Sequence, residues 1–309
     1  MIARPTRLDW LLLVALGFMW GTSYVFIKIG VETLPTFTLI AARLGIGLTI
    51  LATVVFVARE PLPRSPRIYG HLIVMAVINI VLPFALITTA ERSVDSALAA
   101  ILNSAVPLFV IVIASIFLHD EPITVNRLVG LIVGYAGVVI LVSRSLGLGG
   151  SESSLFGELA LLGSTLSYAV GAVYARRNVK GLRPMIPALF QVAFAFVIVT
   201  VIALVFEDPL SVSWNADAII AVVWLGILGS GLAYLVMFRL LGRLGATRTS
   251  LVAYLLPVFG IASGFFVLQE TVDARVLFGT ALVIAGVALV NSRYGQRRLF
   301  GRGAPPIQS

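Results

Sequence analysis

Arg43 is the one basic residue that sits well inside a long apolar run of this 309-residue chain. A charged side chain in hydrocarbon surroundings is costly, so it marks function by default. A guanidinium there can hold a carboxylate through two parallel N–H bonds. It can instead be structural, bonded to backbone carbonyls. Trp20, Tyr24, Tyr168, Tyr234 and Tyr254 also lie deep in apolar runs. Rings with a polar tip suit a pocket that holds an amphipathic solute. Asn79, Asn103 and Ser104 add groups that must hydrogen-bond something where they stand. These nine residues, Arg43 among them, form the candidate substrate-binding set.

What is missing narrows the chemistry further. There is no cysteine, so disulfides, thiol nucleophiles and thiolate metal sites are excluded. His71 and His119 fall at the ends of separate apolar runs and make no metal pair. No nucleotide-binding loop and no nucleophile–base constellation is visible. An enzyme, a metal and a cofactor are therefore not expected. Every carboxylate, Glu32, Glu91, Glu121, Glu158 and Glu270 among them, falls near the end of an apolar run. That placement argues against an antiporter that trades a cation for a proton on a buried carboxylate.

The elements that carry these residues must cross a membrane. Hydrophobic residues make up 59% of the chain, charged residues 12%, and mean hydropathy is +1.05. A soluble domain needs more polar surface than that. Apolar runs long enough to span a bilayer lie near 9–29, 36–57, 70–90, 96–118, 127–143, 155–175, 185–206, 217–240, 248–268 and 275–291. The first run has a basic start but no small-residue cleavage site, and it reads as a retained helix. With a cytoplasmic N-terminus, seventeen Lys and Arg residues fall on the inside and four on the outside. That ratio places both termini inside. The net charge of +8 lies in short loops rather than on one polar face, so nucleic acid is not an expected partner. Trp10, Tyr69, Trp214 and Tyr294 fall where an interfacial aromatic belt would lie.

The two halves of the chain repeat. Pro107 and Pro257 are 150 residues apart, Glu121 and Glu270 are 149 apart, and so are Gly137 and Gly286. Lys28 pairs with Arg176, and Arg43 with Gln191, at a spacing of 148. Five spans per half is an odd number, so the second half must insert upside down. The expected fold is an all-α integral membrane protein of two inverted five-helix repeats, at 9–143 and 155–291. A basic cytoplasmic tail follows at 292–309. Pro107 and Pro257 interrupt matched helices and are candidate hinges.

Helical spacing gathers small and polar residues into stripes. Gly17, Trp20, Gly21, Tyr24 and Lys28 share one face; Ala100, Asn103, Ser104 and Pro107 a second. Ser164, Ser167, Tyr168 and Gly171 share a third; Ser250, Ala253, Tyr254 and Pro257 a fourth. Such stripes either line a cavity or let helices approach, and for Gly17 and Gly21 both readings stand. Gly130 with Gly134, and Gly260 with Gly264, read as packing.

Met19-Trp-Gly-Thr-Ser-Tyr-Val-Phe-Ile-Lys28 resembles the first-helix pattern of the drug/metabolite transporter superfamily, EamA family. Ala42-Arg43-Leu44 resembles that family's second-helix Ala-Arg-Phe, with Leu in place of Phe. Pro107, Leu118-His-Asp-Glu121 and Gly130 to Gly137 resemble the close of its first domain. Pro257, Glu270, Gly279 and Gly286 resemble the close of its second. The resemblance covers about residues 10–292 and implies a bacterial inner-membrane permease with a central cavity. The expected partners of the chain are a small-molecule substrate and membrane lipid, and by the logic of the repeat a monomer suffices. The leading expectation is export of small zwitterionic metabolites such as amino acids. A drug or sugar-derivative permease, a scramblase and a non-transporting scaffold are the alternatives.

Overall fold

The structure is a computed structural model that describes residues 5–118, 123–143, 152–179, 181–183, 185–292 and 298–300. His119, Glu121, Tyr294 and most of the 292–309 tail lie outside the described residues. Among the described residues ten long apolar helical segments follow one another: α1 (Arg7–Val31), α2 (Thr36–Val57), α3 (Pro66–Ala90), α4 (Ser96–Phe117), α5 (Val125–Val142), α6 (Glu152–Asn178), α7 (Met185–Phe206), α8 (Ala216–Leu244), α9 (Val252–Leu268) and α10 (Ala274–Val290). Eight are long and apolar enough to cross a membrane. The apolar α9 and α10 are shorter, at 17 residues each. Large side chains such as Phe56, Ile132, Val139, Phe206 and Phe266 are exposed on the outer surface, where lipid replaces protein as their neighbour.

The packing obeys the repeat. α1 lies on α9 as α6 lies on α4, α2 on α8 as α7 on α3, and α1 on α8 as α6 on α3. The contacts of α2 with α7, α4 with α9 and α5 with α10 map onto themselves. Exchanging each span with its counterpart five along therefore returns these principal contacts, whereas the packing of α1 on α4 and of α4 on α10 has no counterpart of similar extent.

Glycines set the closest of these contacts. A Cβ on Gly286 would stand 2.5 Å from Gly134 Cα, and one on Gly137 would stand 2.7 Å from the Gly279 carbonyl. The α5–α10 pair is thus backbone against backbone. Gly17 faces Leu255, and Gly21 faces Phe259 and the Leu256 carbonyl, so both serve the packing of α1 on α9. Gly130 and Gly260 likewise face neighbouring helices, at Gly286 with Val290 and at Ala100.

Gly264 has a different role: a Cβ there would collide with the Glu270 carboxylate. Through that gap Glu270 reaches the start of α4. Its oxygens accept from the backbone N–H of Ser96 (2.7 Å) and Ala97 (3.0 Å). Glu207, after α7, accepts from the N–H of Phe37 (2.9 Å) and Thr38 (2.7 Å) at the start of α2. Each carboxylate stands at the positive end of a helix in the other half. Glu270→Ala leaves two donors without their charged acceptor. It should cost about 1–2 kcal/mol, read as a lower melting temperature of the detergent-purified protein.

Among the described residues regular α-helix is interrupted inside three spans. α3 contains a π-helical stretch at Val77–Val81, and α8 one at Leu225–Leu232, the same place in the two halves. α4 breaks at Ala105 and restarts at Val106 with Pro107 in its first turn. Pro257, its counterpart, lies inside a continuous helix. Below it a four-residue turn, Ala246–Thr249, leads into α9 through bonds from Ala253 to Ser250 and from Tyr254 to Leu251. The two prolines share a sequence position without sharing a geometry: Pro107 opens a half-helix, whereas Pro257 continues one. Part of the tail also has structure, since Arg298–Phe300 pairs antiparallel with Ile123–Thr124.

Candidate functional site

The buried apolar residues form three clusters. The first joins the outer ends of α1, α3 and α8 to α4, α5, α6 and α10; the second joins α2, α3 and α7; the third joins the inner half of α1 to the inner half of α8 and the start of α9. Tyr24 belongs to the first, Tyr168 and Tyr254 pack against it, Tyr234 packs against the second, and Trp20 against the third. The predicted aromatic residues are thus distributed over all three clusters. Trp20 meets Tyr234 edge to face at 6.5 Å, and Tyr234 stacks on Phe238 at 6.2 Å. Trp20, Tyr168 and Tyr234 are half-buried, so part of each ring faces open space.

Arg43 lies at the centre of this group and is only 4% exposed. Its Nε donates to Ser230 Oγ at 3.3 Å, and its guanidinium carbon sits 4.4 Å from the centre of the Phe84 ring. Tyr168, Tyr234, Glu91 and Tyr24 are the groups within electrostatic reach of it. Among the described residues no carboxylate forms an ion pair with Arg43. A guanidinium has five N–H donors, and this one uses a single donor on a neutral hydroxyl. Gly229 makes the approach possible, because a Cβ there would lie 2.8 Å from Ser23 Oγ and 3.1 Å from Arg43 Nη2.

The π-helical stretches explain the geometry. A π turn admits an extra residue and re-aims the side chains around it. The stretch in α8 presents Gly229 and Ser230 to Arg43 of α2. Its counterpart in α3 presents Asn79 to Gln191 of α7, with Asn79 Nδ2 donating to Gln191 Oε1 at 3.0 Å. Gln191 is the repeat partner of Arg43. The same cross-half contact therefore occurs twice, once with a charge and once without.

The other predicted residues stand apart from Arg43. Asn79 is held by Gln191 and by Gly171, where a Cβ would coincide with its Oδ1. Asn103 is buried: its Nδ2 donates to the Ala99 carbonyl and its Oδ1 accepts from Ser164 Oγ. Ser104 Oγ donates to the Ile101 carbonyl. Tyr254 OH accepts from Asn291 Nδ2, between the inner ends of α9 and α10. Phe84, Ser230 and Glu91 join the site without having been picked from the sequence. A groove of about 430 Å³ between α2 and α7 is lined by Thr38, Ala42, Gly45, Phe196 and Thr200 among others. It has no ionisable lining residue and lies on the flank rather than at Arg43.

A model of the EamA-like transporter family matches residues 9–143 and again 155–292. The chain belongs to this family. Among relatives outside this chain, the uncharacterized transporter YoaV of Bacillus subtilis is 24% identical over 287 residues, covering 93% of this chain and 98% of that protein. The uncharacterized inner membrane transporter YedA of Escherichia coli K12 is 27% identical over 285 residues, covering 90% and 89%. A WAT1-related chloroplastic protein of Arabidopsis thaliana is 28% identical over 296 residues, covering 93% and 70%. A crystal structure with 22% identity superposes with a TM-score of 0.67 over 92% of this chain and 96% of that one, which shows the shared fold. This EamA-like chain is a multi-pass integral membrane protein of a transporter family.

Proposed function

We propose that this protein exports small carboxylate-bearing metabolites, amino acids first among them, across a bacterial inner membrane by alternating access between its two halves. The observation that carries the reading is Arg43, a buried guanidinium with unused donors among the described residues and with Tyr24, Tyr168 and Tyr234 within electrostatic reach. A carboxylate takes two such donors in parallel. The rings of Trp20, Tyr24, Tyr168 and Tyr234 then cover the apolar part of the solute. One chain supplies every group named, so a monomer suffices.

The cross-half bonds of Arg43 with Ser230 and of Asn79 with Gln191 hold two span pairs whose separation would open a path. Inverted repeats of this kind rock around a fixed central site. Counterflow of a labelled amino-acid panel in proteoliposomes tests the proposal. Saturable exchange is expected in the wild type, with Tyr24→Ala at least about tenfold slower through loss of one buried aromatic contact. Absence of exchange for every amino acid would remove this substrate class.

A further inference from the structure

Glu91 closes α3 and looks, from its place at the end of an apolar run, like a solvated residue. In the structure it is 0% exposed. Both carboxyl oxygens are buried and have no hydrogen-bond partner among the described residues. The cations beside it are turned to other acceptors. Lys28 Nζ donates to the backbone carbonyls of Glu91 (2.7 Å) and Val94 (2.9 Å). Arg92 donates to the carbonyls of Val31 (3.2 Å) and Leu34 (3.1 Å). Leu34 and Val94 are buried, as is Ser96, whose hydroxyl is also unpartnered. By the charge count this layer is the outer end of the bundle, and in this structure Leu34, Glu91, Val94 and Ser96 are shielded from solvent there.

A carboxylate enclosed without a donor is strongly unfavourable, and taking up a proton removes the charge. We propose that Glu91 is a proton-binding site of the outer gate: closure takes one proton from the outer solution onto its carboxylate, and opening returns that proton. The proposal rests on the alternating-access reading for its place in a transport cycle, but the gate can be observed without any substrate.

The groups facing Glu91 from each neighbouring element agree with this. α1 contributes Lys28 and Tyr24, α2 contributes Arg43, the α9–α10 connection contributes Glu270, and α6 brings Glu158 close through the contact of Gly157 with Ala90 and Val94. Arg92 and Asp95 flank Glu91 in its own connection. Glu270 is held by two backbone donors, whereas the carboxyl oxygens of Glu91 have none among the described residues. A metal cation in place of the proton would face the Lys28 ammonium, which is already bonded to the neighbouring carbonyls.

The natural chain has no cysteine, which makes the test clean. Ser96→Cys places a thiol in the sealed layer, and Ser93→Cys places one on the exposed turn beside it. In right-side-out membrane vesicles, a membrane-impermeant maleimide is applied at external pH 5 to 7.5. The labelling rate at position 96 is divided by that at 93, which cancels the reagent's own pH dependence. An exposed glutamate ionises at about pH 4.3, so across this range each pH unit should open the gate further, by up to about tenfold. Glu91→Gln and Glu91→Leu should both give low labelling at every pH, while Glu270→Gln should keep the rise. A total rise under about threefold, a rise that persists in both neutral variants at position 91, or its loss in Glu270→Gln overturns the proposal.

Discussion

Replacing Arg43 with alanine is expected to abolish saturable exchange of carboxylate-bearing solutes while the protein still folds. The two halves of that expectation have separate causes. Arg43 has one hydrogen bond, to a neutral hydroxyl, and a ring beneath it. Removing an under-partnered buried charge relieves desolvation as much as it loses contacts, so stability should change little. A bound carboxylate, by contrast, loses its charged donors. Each such bond is worth about 1.5–3 kcal/mol, which is about tenfold to more than a hundredfold in affinity. Arg43→Lys keeps the charge without the fork and should recover only part of the loss. The check is counterflow of a labelled amino acid beside the melting temperature of the same preparations. Normal exchange by Arg43→Ala would remove the residue from the mechanism.

The second large effect concerns the fold. Gly286→Leu should prevent α5 and α10 from pairing, because the first atom of the new side chain meets Gly134 Cα at 2.5 Å and the Gly130 carbonyl at 2.7 Å. Overpacking of side chains typically costs about 1–3 kcal/mol. Here the obstacle is backbone on both sides and has no rotamer to change, so the cost should exceed about 3 kcal/mol. Loss of the monodisperse peak in detergent is the expected readout. Gly242→Leu, with open space at its Cβ position, is the matched control and should behave as wild type.

Much of this architecture was legible from residue order. Apolar runs of span length mark the helices, and matched positions such as Arg43 with Gln191 mark the repeat, because hydrocarbon thickness and duplication both leave linear traces. The aromatic residues were legible for a similar reason: Trp20, Tyr24, Tyr168 and Tyr234 lie too deep for an interfacial belt, and the structure brings them near Arg43.

The rest depends on what stands opposite. Val77-Ile-Asn-Ile-Val81 carries no local mark of a π turn, which arises from the fit of α3 against its neighbours. Asn79 and Asn103 read equally well as wall or lining, and their partners Gln191 and Ser164 are visible only in three dimensions. Gly264 resembles Gly260 in sequence, yet one accommodates a carboxylate and the other a helix. Glu91 shows the same limit most sharply. Position along the chain places it at a span end, whereas the turn that follows and the end of α1 fold over it.

The central claim is that Arg43 holds a solute carboxylate, and chemical competition tests it directly. Proteoliposomes exchanging a labelled amino acid are challenged with the unlabelled acid or with its carboxyl amide, in wild type and in Arg43→Gln. The prediction is that the acid competes at least about tenfold better than the amide in wild type, and that the preference vanishes in Arg43→Gln. Equal competition by acid and amide in wild type, or an unchanged preference in the variant, would contradict it.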